Sequence, residues 1–273
     1  MSLIGAFTKH RTTFDTWQCH VHLNDGRYME IKKAGGFSAD PFFLNEYTVI
    51  FEYYSFKESR GWIEAIDLRT GGIYKIFDNG VHSSFPYVFI HKHQIYVMPE
   101  QRQLLLLEAF PVIFDTVGRA VLREEGVIRI CAGVPIVDAM TLNCNGKLLC
   151  LYNEDLGNIG DAGGTLMLGN IELGSATLNA EEAILLSSDF RYSRNAGMTW
   201  FKNGALYRIF QKKNPGEYGN GIGLDRVRLN LRGEVQDSLQ KIRSPKFIRK
   251  HQLDVISHHL DIKCFGKVWD ART

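Results

Sequence analysis

A strand–turn–strand unit recurs five times along this chain, and no other feature restricts the fold as strongly. The first copy is SADPFFLNEYTVIFEY, Ser38 to Tyr53. Asp40 and Pro41 open it, Phe42 to Leu44 form a first strand, and Asn45-Glu46 turns the chain. A second strand from Tyr47 to Phe51 then closes on Glu52. Asn in a short connection between apolar runs is a hairpin signal, because it tolerates positive φ. The other copies begin at Phe85 (FPYVFIHKHQIYVMPEQ), Val137 (VDAMTLNCNGKLLCLYNED), Asn195 (NAGMTWFKNGALYRIFQK) and His258 (HHLDIKCFGKVWDAR). Their spacing of roughly 46 to 63 residues suits blades of four strands. The expected fold is all-β, a five-bladed β-propeller, with residues 1–273 as one domain.

A blade makes this repeat chemically meaningful. Its innermost strand leaves one face and the second strand returns to it, so opening and closing residues share a rim. Asp40 and Asp138 open first strands, while Glu52, Glu100, Glu154, Gln211 and Asp270 close second strands. All are expected at one end of the central channel. The strands around Asn24-Asp25-Gly26 are expected to complete a first or last blade, so that both termini share one blade and no sheet edge stays open. Further along, Phe110-Pro111 reads as a break, Leu178 to Ala183 as a short helix, and the glycine-rich run Leu156 to Gly164 as a turn between blades. That run lacks the lysine and the strand–helix setting of a phosphate loop.

Composition matters mainly for what it excludes. A formal net charge of +2 gives no reason to expect nucleic acid. The N-terminal MSLIGAFTKHR carries too short an apolar run for a leader or a membrane span. The five cysteines, an odd number without CxxC spacing, read as free buried thiols, and the expected location is cytoplasmic. No cofactor or metal is expected. Locally, KIRSPKFIRKH (Lys241 to His251) is basic: a solvated outer loop, or a clamp for a phosphate-bearing ligand.

Several of these residues have two readings. An acid at the mouth of an apolar strand is costly without a partner or ligand, which singles out Asp40, and less strongly Asp138. Glu100 and Glu154 either line the site or bind backbone amides of the next blade. His82 and Ser84 precede Phe85-Pro86 at the same rim, where they would bond a ligand or lock a loop. Arg194 either holds an anion or pairs with Asp138 or Glu154. His258 and His259 open the fifth copy, and Tyr218 and Trp200 offer aromatic faces to a ligand or to the core.

Taken together, ADPFFL, HSSFPYVF, HKHQIYVMPE, VDAMTL, NGKLLCLYNE, RNAGMTWFKNGALYRIFQ and YGNGI resemble the propeller domain of glucosamine inositolphosphorylceramide transferases and their bacterial relatives. That domain in turn resembles the five-bladed propellers of arabinanases, β-xylosidases and levansucrases. The resemblance implies a carbohydrate-active propeller, hydrolase-like or transferring, with a saccharide or activated sugar as ligand. The alternative it implies is a non-catalytic glycan-binding or accessory module of a glycosyltransferase system. Hydrolases of this fold use three carboxyl groups around an oxocarbenium-like transition state. The resemblance assigns the base or nucleophile to Asp40 and its electrostatic partner to Asp138. The proton donor would fall at Asn195, where no carboxylate stands. The implied catalytic pair is therefore Asp40 and Asp138. The implied binding set is Glu52, His82, Ser84, Glu100, Glu154, Arg194, Asn195, Gln211, Tyr218 and His259. Turnover would favour leaving groups that need little protonation.

Overall fold

The computed structural model describes residues 16–144, 147–154, 164–172, 177–213, 219–230 and 232–272. Strands account for 62% of the structure and helices for 4%. The chain starts with β1 (Trp17–Leu23) and β2 (Tyr28–Ile31). Blade 1 follows as β3 (Gly36–Asn45), β4 (Thr48–Ser55), β5 (Arg60–Asp67) and β6 (Ile73–Phe77). Blade 2 holds β7 (Ser84–His91), β8 (Gln94–Glu100) and β9 (Leu106–Phe114), with β10 (Ala120–Leu122) and β11 (Ile128–Cys131) side by side along the outer edge of β9. Blade 3 is β12 (Ile136–Cys144), β13 (Lys147–Glu154), β14 (Thr165–Glu172) and β15 (Thr177–Ser187). Blade 4 is β16 (Asn195–Lys202), β17 (Ala205–Gln211), β18 (Ile222–Arg228) and β19 (Gln240–Ile242). Two short helices, α1 (Lys246–Lys250) and α2 (Leu253–Ile256), lead to β20 (Leu260–Lys263) and β21 (Gly266–Arg272).

The last blade is closed by both ends of the chain. Strand β1 pairs antiparallel with β21 from Trp17↔Arg272 to Leu23↔Gly266, and β2 lies outside β1. The fold is thus an all-β, five-bladed propeller. Each expected hairpin is the inner pair of a blade: β3–β4, β7–β8, β12–β13, β16–β17 and β20–β21. Inner strands are apolar on both faces because each is covered by neighbouring blades. Phe42, Ile50, Phe85, Val97, Met140 and Leu151, for example, belong to one buried cluster that spans blades 1 to 4.

Three local expectations need correction. Strand β9 runs through Phe110-Pro111 without a break, and Pro111 still accepts the amide of Arg123 through its carbonyl. Leu178 to Ala183 lies within β15, because its backbone pairs with β14 and a six-residue stretch is too short to hold a helix by itself. The five cysteines are free, but Cys131 and Cys264 are exposed rather than buried. Residues 155–163 of the glycine-rich run, together with Tyr218, lie outside the described residues.

Candidate functional site

Four inner strands are interrupted at the same level. In β3 the pairing jumps from Ala39↔Glu52 to Phe42↔Ile50, so Asp40 and Pro41 together face one residue of β4. The same jump occurs in β7 between Ser84 and Tyr87 and in β12 between Val137 and Met140, and a larger one, three residues facing one, occurs in β16 between Asn195 and Thr199. These are β-bulges, devices that re-aim side chains beside functional sites. Asp40 (φ 50°), Phe85 (φ 39°), Asp138 (φ 50°) and Gly197 (φ 120°) all take left-handed backbone there. At Gly197 the conformation also serves a close approach, since a Cβ would stand 2.1 Å from the carbonyl oxygen of Leu260. Asp tolerates the left-handed region better than most residues, whereas Phe in that region is an outlier.

The residue opposite the start of each bulge decides what holds the next blade. This position carries Glu52 in blade 1, Glu100 in blade 2, Asn153 in blade 3 and Phe210 in blade 4. By continuation of Leu260↔Trp269, it carries Asp270 in blade 5. Glu100 accepts the amide N–H of Asp138 at 2.6 Å, and Asn153 accepts that of Asn195 at 3.1 Å. Asp270 accepts the amides of His258 and His259 on one oxygen and of Asp40 on the other, each at 3.0 Å. A polar side chain from one blade thereby anchors the bulge of the following blade. Glu154 pairs with Ile136, one step beyond Asn153, and so projects to the other side of its strand. The amide-binding role foreseen for Glu100 and Glu154 belongs to Glu100 and Asn153.

The charged groups divide into distinct states. Arg194 binds Asp138 through two hydrogen bonds, Nε to Oδ2 at 2.6 Å and Nη2 to Oδ1 at 2.8 Å. Both are buried, so Asp138 is neutralised on the spot by a bidentate partner. Burial would raise the Asp40 carboxyl, but His259, His258 and Arg194 together hold it below the usual carboxylate range. Nδ1 of His259 lies 3.5 Å and Nδ1 of His258 3.9 Å from Asp40 Oδ1. Glu52 is the opposite case: burial first, then the charges of Asp40, Glu100 and Asp270, push its carboxyl well above its ordinary value. Glu100 is pushed up to about 8, by burial and then by Asp138. Asp270 also keeps His258 above its ordinary value, although burial works the other way.

The remaining expected residues take varied places. His82 Nδ1 accepts the Gly61 amide at 2.7 Å, which leaves the proton on Nε2, 3.9 Å from Glu52 Oε1. Ser84 Oγ donates to Glu100 at 3.4 Å. The Asn195 amide donates to the carbonyls of Asp138 and Leu151, and its oxygen accepts from Arg208. It is buried and committed to the framework. Gln211 is buried with its side-chain oxygen unbonded among the described residues. Asp40, Glu52, Glu100, Asp138, Arg194, His259, His82 and Ser84 gather at one end of the blades, whereas Asn195 belongs to the wall between blades 3 and 4. The binding set from the sequence lacks His258 and Asp270. His258 stacks on Trp17, 3.9 Å between ring centroids. Asp40, His258 and Asp270 each bring one donor atom within 4.8 Å of the others, but the oxygens of Asp270 already serve three backbone amides. The acidic close of the fifth hairpin was the signal in the sequence for Asp270.

Fold and geometry define a class, the five-bladed propeller with carboxyl groups gathered at one end of its blades. The chain belongs to the family "Glucosamine inositolphosphorylceramide transferase 1, N-terminal", whose model matches residues 26–268. Glucosamine inositolphosphorylceramide transferase 1 of Arabidopsis thaliana is 25% identical over 194 residues, covering 68% of this chain and 24% of that protein. Its namesake from Oryza sativa subsp. indica is 25% identical over 217 residues, covering 74% of this chain and 27% of that protein. The chain thus spans about a quarter of the length of the curated relatives it matches. Among solved structures, a GH43_1 enzyme from Xanthomonas citri is similar in fold, with TM-score 0.50 and 10% identity over 88% of this chain and 89% of that one. Among the described residues no helix is long and apolar enough to cross a membrane.

Proposed function

We propose that this chain is the saccharide-handling propeller of a glycosyl-transfer or glycoside-cleaving system, and that Asp40 is its central group. One observation carries the reading. Asp40 sits on a left-handed bulge with its carboxyl held below the usual range, while the acids around it are paired, pushed well above their ordinary value or tied to backbone. An ionised carboxylate, its side chain 15% exposed, among buried neighbours suits the positive charge that develops on a sugar ring as its anomeric bond breaks. Asp138 then acts through its pair with Arg194, fixing the floor of the site rather than touching the anomeric carbon. Membership of a transferase family supports a sugar as ligand, and the relatives' name makes an activated sugar or a glycosylated lipid head group the candidate class. The alternative is a glycan-binding or accessory module. It draws support from Asn195, where the expected proton donor is replaced by an amide bound to backbone.

Calorimetry with a panel of monosaccharides and nucleotide sugars, together with turnover of matched aryl, phosphoryl and alkyl glycosides, tests both readings. Asp40→Asn should abolish turnover, a loss of about 10² to 10⁴ or more for a working carboxyl, while the protein stays folded. Binding without turnover in the wild type selects the module reading. Neither binding nor turnover rejects both.

A further inference from the structure

Glu52 stands out among the acids at this end of the molecule. Its counterparts Glu100, Asn153 and Asp270 each hold a backbone amide of the neighbouring blade. Glu52, although its side chain is only 8% exposed, makes no such hydrogen bond among the described residues. It is one strand away from Asp40: Ala39, the residue before Asp40, is its direct partner across β3 and β4. Its Oε1 lies against the backbone of β5. A Cβ placed on Gly61 would stand 2.5 Å from that oxygen and 2.8 Å from the carbonyl of Ser83, so only glycine leaves room for the carboxyl. On the solvent side is His82. Its Nδ1 is occupied by the Gly61 amide, so the imidazole is neutral and turns its Nε2–H toward Glu52. Burial, more than any charge, holds the His82 imidazole below its ordinary value, which keeps it in that neutral form.

We propose that Glu52 is the proton donor of this site, giving its carboxyl proton to the oxygen that leaves a sugar bound against Asp40. The inference rests on the reading of Asp40 given above, and it supplies the acid that is missing at Asn195. In the step, the glycosidic C–O bond breaks and the proton of Glu52 goes to the departing oxygen. Water, or an acceptor hydroxyl in transfer, forms the new bond to the anomeric carbon and gives its proton to Asp40. Asp40 then releases that proton to solvent, and Glu52 recovers one from water reaching it past His82, whose side chain is 33% exposed. The groups that face Glu52 are Asp40 from β3, Glu100 from β8, Asp270 from β21, Cys19 from β1 and His82 from the segment before β7. Burial, and then the three acids among them, push its carboxyl well above its ordinary value. His82 is a positioning residue in this scheme.

The test compares wild type with Glu52→Gln on alkyl and aryl glycosides across pH. A separate measurement follows the Glu52 carboxyl by carbon NMR in protein carrying labelled glutamate, assigned by difference with the variant. The expected result is a loss of about 10² to 10⁴ in turnover of alkyl glycosides, with aryl glycosides much less affected, since their leaving groups need little protonation. The basic limb of the pH profile should vanish in the variant, His82→Gln should move that limb, and the Glu52 signal should remain that of a protonated acid at about pH 7. Equal losses on both substrate classes, or a Glu52 signal that titrates in the ordinary carboxylate range while turnover persists, would overturn the donor role alone. Wild type without turnover on either class, with sugar binding intact, would overturn the catalytic reading of Asp40 and the donor role with it.

Discussion

Residue by residue, the acids are separated by environment rather than by type. Asp40 and Glu52 leave adjacent strands, yet one carboxyl is held below its ordinary range and the other is pushed well above it. Such a split is how two carboxyl groups divide the work of base and acid. Glu100 shows the same physics in a structural role and gives a test without any ligand. Folding raises its carboxyl to about 8, by burial and then by Asp138, against an ordinary value near 4.5. Between those values the folded chain keeps a proton that the unfolded chain has lost. Its contribution to stability is therefore complete below about pH 4.5 and is lost as pH rises through about 8. Glu100→Gln retains an oxygen for the Asp138 amide but does not titrate. Urea denaturation at about pH 5 and 8 should show the wild type losing stability relative to this variant over that interval. Parallel curves for the two proteins would refute the protonated state. Nothing in the sequence distinguished Asp40 from Asp138 in this respect. Both follow an apolar residue, Ala39 or Val137, and both sit on bulges; the difference is the bidentate bond of Arg194, brought to Asp138 from 56 residues away.

At the scale of elements, the hairpins were legible and their registers were not. Phe42 to Leu44 and Val49 to Phe51 announce themselves as strands through composition, and the turn at Asn45-Glu46 fixes which strands meet. The bulges changed which side chain answers which. A jump of one residue moves a whole set of side chains to the other face, and that is why Asn153, rather than Glu154, anchors blade 4. The two polar links that join blade 5 to blade 1 illustrate what these anchors do. Asp270 serves the amides of Asp40, His258 and His259, and Asp261 accepts the amide of Phe43 at 3.0 Å deeper in the same interface. Both acids are fully buried. Asp270→Asn has one accepting oxygen for three donors, so at least one buried amide is left unsatisfied. The expected cost is about 3 kcal/mol in chemical denaturation, in line with a charged acceptor lost and a donor stranded. A change below about 1 kcal/mol would show that blade closure does not depend on this carboxylate.

Viewed whole, the molecule is a ring closed by its own ends, with β1 laid beside β21. Five hairpins, two termini in one blade and little helix were readable because a propeller repeats one unit, and repetition survives in sequence even when individual strands are ambiguous. The site was less readable because its properties are collective. The raised carboxyl of Glu52 owes to burial and then to Asp40, Glu100 and Asp270, residues from three different strands, and the loss of a carboxylate at Asn195 is made up by nothing nearby in sequence. The chain matches about a quarter of its relatives' length, so the proposed reaction rests on the geometry around Asp40. On the reading proposed above, this end of the propeller receives a sugar at Asp40. Crystals soaked with monosaccharides and nucleotide sugars test it most directly. A sugar ring within hydrogen-bond distance of the Asp40 carboxylate and facing Glu52, absent from Asp40→Asn crystals treated alike, is the predicted result; a ring bound elsewhere on the molecule, with Asp40 unvisited, would contradict it.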